Sequence, residues 1–212
     1  TIDAKKVEEF KIWIIHEDDD VLVINKPEGV SSQSGTKAGL TVDVLAKAYF
    51  PEARITHRLD RETSGVMVIA KNKFTAREIT GLFAKGEVVK KYYAVVNTGD
   101  VKMTEGVIKT DLQKSVDAQK MFTTQGSSCV THYRVVQKSG ECSLVEVTPK
   151  TGKMHQIRVH LSSIGMPIIG DEKYGGTPSE RMFLHAFSIT FDGKTFNAPL
   201  PVLFQQVGFT AK

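Results

Sequence analysis

Seven short apolar runs, rich in β-branched and aromatic residues, punctuate this sequence: Trp13–Ile15, Val21–Ile24, Gly65–Ala70, Tyr92–Val96, Thr131–Val136, Leu144–Val147 and Phe187–Phe191. Runs of this length and composition, bounded by turn residues, read as β-strands. The punctuation between them includes Asp18-Asp19-Asp20, Lys26-Pro27-Glu28-Gly29, Asn97-Thr98-Gly99-Asp100, Lys138-Ser139-Gly140 and Asp192-Gly193. Such signals suit antiparallel connections better than repeated βαβ crossovers, which need a helix-length connection each time. Helical spacing of apolar residues is confined to three places: Thr41 to Tyr49 with Thr41 as cap, Lys73 to Ala84, and Met154 to Ile164. In the last, Met154, Ile157, Leu161 and Ile164 share one helix face, and Arg158 falls off that stripe. A few helices among many strands predict an α+β fold with a mixed, mostly antiparallel sheet.

At 212 residues the chain is long enough for folding to bury roughly 70 % of its unfolded surface. With 41 % hydrophobic and 25 % charged residues, it is neither a disordered nor a fibrous chain. No repeat, low-complexity tract or linker interrupts it, and Ser31, Ser32, Ser34 and Gly35 read as a loop. Its two cysteines, Cys129 and Cys142, are too few for a disulfide scaffold and fit a reducing compartment, so cytoplasm is expected. No apolar run approaches the ~20 residues of a membrane span, and the opening Thr1 to Lys6 has no apolar signal region. The net charge is +4, but residues 1–20 carry seven acids against three bases, which leaves +8 on the remainder. The bases concentrate from Arg54 to Lys91. That distribution leans towards a polyanionic partner, although charge alone reads equally well as a solvated face.

The densest chemical stretch is Arg54-Ile55-Thr56-His57-Arg58-Leu59-Asp60-Arg61-Glu62-Thr63-Ser64-Gly65, directly ahead of an apolar strand. A carboxylate between Arg58 and Arg61 stays ionised at neutral pH if either guanidinium lies close, and an ionised Asp serves as nucleophile or general base. The plainer reading is an ion pair at a strand entrance. A second stretch, Thr148 to Leu161, runs through Gly152-Lys153-Met154-His155-Gln156-Ile157-Arg158 into the third predicted helix. Its His155 and His160 are five apart, not the i, i+4 spacing of a zinc helix, so no metal site is expected. Both read more readily as hydrogen-bonded structural histidines.

Together these stretches resemble the RluA-type pseudouridine synthases, and among them the members acting on large-subunit ribosomal RNA. The resemblance rests on His57-Arg58-Leu59-Asp60 followed by Thr63-Ser64-Gly65, on Val23 to Gly29 before it, and on Lys90-Lys91-Tyr92-Tyr93-Ala94 after it. Gly152 to His160 and Pro167 to Gly175, followed by Leu184-His185-Ala186, complete it, so that it covers residues 12 to 205. The chain departs from the family pattern at Lys153 and Met154, where Arg and Thr are usual.

The resemblance implies a bent central sheet with flanking helices, the pseudouridine synthase fold. It also implies site-specific isomerisation of uridine to pseudouridine, with Asp60 as the catalytic carboxylate, either nucleophile or base. Arg158 corresponds to the family's basic partner of that carboxylate, Tyr92 to the active-site tyrosine that stacks on uracil, and Leu184 to an apolar wall of the pocket. Arg58 would fill the gap left by a flipped-out base. Arg54, Arg61, Lys71, Lys90, Lys91, Lys150 and Lys153 are candidates for contact with the RNA backbone. The reaction loses no group and changes no oxidation state, so no cofactor is implied. The expectation is therefore one catalytic domain over residues 1–212, monomeric, without the small N-terminal RNA-binding module of the large-subunit members. RNA is the partner, ribosomal RNA ahead of transfer RNA, with no membrane and no metal. The alternatives are a transfer-RNA-directed enzyme, or a non-catalytic ribosome-assembly factor on the same fold. A nucleosidase fits less well, because such hydrolases use a second acid to activate water and the only acid near Asp60, Glu62, has no such role in the family pattern.

Overall fold

The computed structural model describes residues 2–34, 39–117 and 119–210. Gly35 of the polar loop lies outside them, as do Thr1 and the last two residues. The chain divides into two compact units, one of residues 1–88 with 186–199, the other of 89–185 with 200–212. Strands outnumber helices in both, as an α+β fold requires.

The first unit starts with helix α1 (Ala4–Ile12), capped by the Asp3 carboxylate on Lys5 N–H. Hairpin β1 (Ile14–Glu17) and β2 (Val21–Lys26) follows, then α2 (Val42–Tyr49), β3 (Arg54–Ile55), β4 (Ser64–Ala70) and α3 (Lys73–Lys85). Strands β9 (Leu184–Phe191) and β10 (Lys194–Asn197) return to it. The strand order is β1-β2-β4-β9, with β3 beside β4 and β10 beside β9. The pairings β1–β2, β2–β4, β3–β4 and β9–β10 are all antiparallel. Leu22, Val23 and Ile24 face Ile69, Val68 and Met67 across β2–β4, and all six are fully buried. A strand buried on both faces reads as a continuous apolar run rather than an alternating one. Asp192 and Gly193 close the β9–β10 hairpin at φ 48° and 69°. Two consecutive positive φ values make a type I′ turn, whose twist matches antiparallel strands. Helix α2 starts after the predicted Thr41 cap, whose hydroxyl accepts from Val44 N–H. Helix α3 ends at Gly86 in the left-handed conformation.

The second unit is an antiparallel sheet in the order β5-β8-β7-β6, formed by β5 (Val89–Asn97), β6 (Glu105–Lys114), β7 (Met121–Ser139) and β8 (Cys142–Pro149). Helix α4 (Gln156–Ser163) packs on β7 and β8, and α5 (Val202–Gln206) lies near the C-terminal end. Its core includes Ala94, Val95 and Val96 from β5 and Leu144, Val145 and Val147 from β8.

The third predicted helix is corrected at its start and in its character. His155 takes up φ 53°, a left-handed conformation, so helix α4 begins at Gln156 and leaves Met154 outside. Gln156 through Leu161 are all buried, so Arg158 lies inside the fold and not on a solvent face.

Candidate active site

The loop carrying Asp60 is built by the first unit. Register pairs Arg54 with Ala70 and Ile55 with Ile69, and the β3–β4 ladder stops there. Beyond it, Thr56 Oγ1 donates to Val68 O at 2.8 Å, and Val68 N–H donates to His57 Nε2 at 2.9 Å. The His57 ring stacks on Phe83 of α3, centroids 4.9 Å apart. Leu59 is buried, and Ser32 Oγ accepts from its N–H at 3.0 Å and donates to its carbonyl at 2.7 Å. Thr63 N–H donates to Asp60 O at 3.0 Å and closes the turn.

Beneath this loop Lys26, at the end of β2, is fully buried. Its ammonium donates to Pro27 O and Val30 O at 2.8 Å each and to Arg61 O at 3.3 Å. A buried charge is tolerated only when its hydrogen bonds are supplied, and here backbone carbonyls supply them. Gly29 and Arg61 tie the same two segments, with Gly29 N–H on Arg61 O and Arg61 Nε on Gly29 O. Gly65, the second residue of β4, has φ 125°, where a Cβ would overlap the backbone of Ala186. Only glycine permits that approach. Out of these supports Asp60 emerges half-buried, and Arg58 is exposed.

Tyr92, Arg158 and Leu184 belong to the second unit. Tyr92 sits on β5 opposite Val147 and is 9 % exposed. Tyr93 is buried on the opposite face of the strand, and that burial, with Glu146 nearby, raises its phenol pKa. Arg158 is 5 % exposed, and its Nε and Nη2 donate to the two carboxylate oxygens of Asp171, each at 2.8 Å. This is the bidentate arrangement that makes Arg–carboxylate pairs strong and directional. The guanidinium also lies 5.1 Å from the centre of the Tyr174 ring. Tyr174 is fixed in turn, because its hydroxyl accepts from Met121 N–H at 2.9 Å and is bonded to His155 Nδ1 at 2.6 Å. Leu184 is buried, and its carbonyl accepts from Arg181 Nη2 at 3.2 Å. His160 is a structural histidine, its ring nitrogens bonded to Thr110 and Thr131 hydroxyls, and burial lowers its pKa.

The candidates for RNA-backbone contact differ in their surroundings. Lys71 is engaged by the protein itself, with its ammonium on Glu17 at 3.0 Å, on Asp18 O at 2.8 Å and over the Phe50 ring. Lys90 is half-buried, and desolvation lowers its pKa. Arg54, Arg61, Lys150 and Lys153 are exposed. Lys91 is half-buried and lies 3.9 Å from Glu146. Lys26, His57 and Asp171 lie within the motifs, where the sequence alone gives them no role, and Ser32 reads as loop. The available signal was an obligation of charge, since a lysine ending an apolar strand and an arginine inside a short buried helix each require partners. Among the described residues, no group of three or more His, Cys, Asp or Glu is placed to hold a metal ion, and both cysteines are free. Among them too, no helix is long and apolar enough to cross a membrane.

Comparison with known proteins identifies the family. The family model described as RNA pseudouridylate synthase matches residues 20–163. The ribosomal large subunit pseudouridine synthase C of Rickettsia bellii is 36 % identical over 92 % of this chain and 70 % of its own length. The protein of the same name from Vibrio vulnificus is 34 % identical over 93 % of this chain and 66 % of its own. Among solved structures, human RNA pseudouridylate synthase domain containing 4 superposes with a TM-score of 0.79 at 29 % identity, covering 95 % of this chain and 93 % of that one. Human RNA pseudouridylate synthase domain containing 1 gives 0.73 at 29 % identity, covering 89 % and 82 %. A family model that matches residues 20–163, with relatives 34–36 % identical over more than nine-tenths of the chain, places this protein in the RNA pseudouridylate synthase family.

Proposed function

We propose that this pseudouridine synthase acts on large-subunit ribosomal RNA and that Asp60 is its catalytic carboxylate. The observation that carries the proposal is the loop itself. Asp60 lies within the matched region, half-buried, between Leu59 and Thr63, both of which are held by hydrogen bonds. The ribosomal substrate is supported by the names of the similar proteins from Rickettsia and Vibrio.

The chemistry breaks the bond between ribose C1′ and uracil N1, turns the freed base, and joins C5 to C1′. A proton leaves C5 and one is taken up at N1, so atoms and oxidation state balance without a cofactor. Asp60 acts as nucleophile or base, a role that needs its ionised form. The target base leaves its stack at a cost of a few kcal/mol. Arg58, exposed on the loop, fills the vacated position with a planar guanidinium, and Tyr92 stacks on the uracil. Leu184 provides apolar wall. Arg158 contributes positive charge held in one orientation by Asp171. The protein works as a monomeric catalytic domain in the cytoplasm, a reading supported by its two free thiols.

The test is carbodiimide-dependent primer extension on ribosomal and transfer RNA from cells with and without the gene. Stops in large-subunit RNA that vanish on deletion, and return with wild type but not with Asp60→Asn, are expected. Stops lost only from transfer RNA would replace the substrate. Stops restored equally by Asp60→Asn would remove the role of Asp60.

A further inference from the structure

The loop that presents Asp60 leaves the sheet without leaving its hydrogen bonds. After Ile55 the β3 backbone no longer pairs with β4, yet Val68, the next residue of β4 in register, keeps both of its bonds. The Thr56 hydroxyl donates to its carbonyl and the His57 imidazole accepts from its N–H. Two side chains thus stand in for the backbone of one strand residue. The same device recurs one step further on, where the single Ser32 hydroxyl satisfies both the N–H and the carbonyl of Leu59. The chain from Thr56 to Leu59 is therefore free of the pleat that a continued strand would impose, while every link to its neighbours is retained. Asp60 follows directly, and its own carbonyl is fixed by Thr63 N–H.

We infer that His57 and Ser32 are positioning residues for the reaction, acting through Asp60 by fixing the backbone immediately before it. The inference rests on Asp60 being the catalytic carboxylate. His57 serves as an acceptor at Nε2, and its ring is held flat against Phe83, at an interplanar angle of 29°. Both act on backbone groups, Ser32 on those of Leu59 and His57 on Val68 N–H. Small misplacements of a reacting group are costly, since a displacement of about 1 Å can lower a rate by about 100-fold.

The distinguishing variants keep or remove the hydrogen bond while keeping bulk. His57→Phe retains a ring on Phe83 but leaves Val68 N–H without its acceptor, and His57→Gln restores an acceptor of similar reach. Ser32→Ala removes the hydroxyl, and Ser32→Thr keeps it. Single-turnover rates on a uridine-containing ribosomal RNA fragment, RNA dissociation constants and thermal melting are measured for each, with Asp60→Asn alongside. His57→Phe and Ser32→Ala are expected to lower the single-turnover rate at saturating protein by at least tenfold, with RNA affinity within twofold of wild type. His57→Gln and Ser32→Thr should recover most of that rate. Full activity in His57→Phe and Ser32→Ala, with Asp60→Asn inactive, would overturn the inference and leave the role of Asp60 standing. An active Asp60→Asn would instead overturn that role. If rate, RNA affinity and melting temperature fall together, and the conservative variants rescue none of them, the residues are merely structural and the inference fails. Should His57→Phe not fold, the Ser32 pair decides.

Discussion

Replacing Asp171 by Ala would leave the Arg158 guanidinium charged inside the second unit without the carboxylate that now accepts hydrogen bonds from its Nε and Nη2. Both side chains are almost fully enclosed, at 5 % and 2 % exposure, and the two contacts are 2.8 Å long. Breaking a buried pair by removing one partner costs about 3–5 kcal/mol, because the survivor stays desolvated without the countercharge it had. With a urea slope of about 2 kcal/mol/M, the unfolding midpoint should fall by about 2 M. Arg158→Ala should cost a similar amount. The informative arm is the double replacement, Arg158→Met with Asp171→Leu, which removes both charges and keeps the volume filled. Its expected cost is far below the sum of the single changes, because two apolar side chains need no solvation. Urea titrations followed by far-UV circular dichroism measure all four proteins. An Asp171→Ala midpoint within experimental error of wild type, or a double variant that costs as much as both singles added, would refute the reasoning.

Three other outcomes are expected. Asp18 is the hydrogen-bonded pivot of the β1–β2 turn. Burial opposes its ionisation, but bonds from the His16 ring and from the Val21 and Asp20 N–H groups outweigh that and hold its pKa at about 2. A carboxylate depressed on folding contributes stability that is full above its unfolded pKa of about 4 and is lost as pH falls through about 2. Wild type should therefore exceed Asp18→Asn in urea midpoint at pH 5 to 7, and the gap should close towards pH 2; a gap unchanged across that range would contradict it. Gly65→Ala places a methyl group against the Ala186 backbone at a φ of 125°, and should lower stability by about 3 kcal/mol or more, read as a thermal-melt shift. Lys26→Met takes the ammonium from the Pro27 and Val30 carbonyls and one of two donors from Arg61 O, and should destabilise by about 2 kcal/mol or more in the same melt, whereas an unchanged melting temperature would show that water replaces the ammonium.

Strands buried on both faces were the most legible part of the fold, because Val21 to Ile24 and Gly65 to Ala70 carry their own apolar signal. Helices with side-chain caps were equally plain, as Thr41 shows. What escaped was structure held by partners distant in sequence. Strand β6 has only one buried large apolar residue, Ile108, and takes its form from ten register pairs with β7. Helix α1 buries only Phe10 and carries mostly charged residues, so periodicity is faint there. The short α5 was missed as well, with Phe204 its one buried residue. In the site, the motif containing Asp60 stood out as a cluster of charges before a strand. The supports of that cluster did not, because Ser32 and Leu59 are 27 residues apart, and Lys26 and Arg61 35 apart. Nor did the Arg158–Asp171 pair, since helical periodicity places Arg158 off the apolar stripe while the fold buries every residue of that helix from Gln156 to Leu161.

The most direct test of the account is turnover by purified protein on large-subunit ribosomal RNA transcribed with uridine tritiated at C5, comparing wild type with Asp60→Asn. Joining C5 to C1′ displaces the tritium into water. The account predicts stoichiometric tritium release and pseudouridine in the digested RNA for wild type, with no free uracil, and neither release nor product for Asp60→Asn, which should still bind RNA. Equal release by the two proteins would contradict the role of Asp60, and free uracil in place of pseudouridine would contradict the reaction itself.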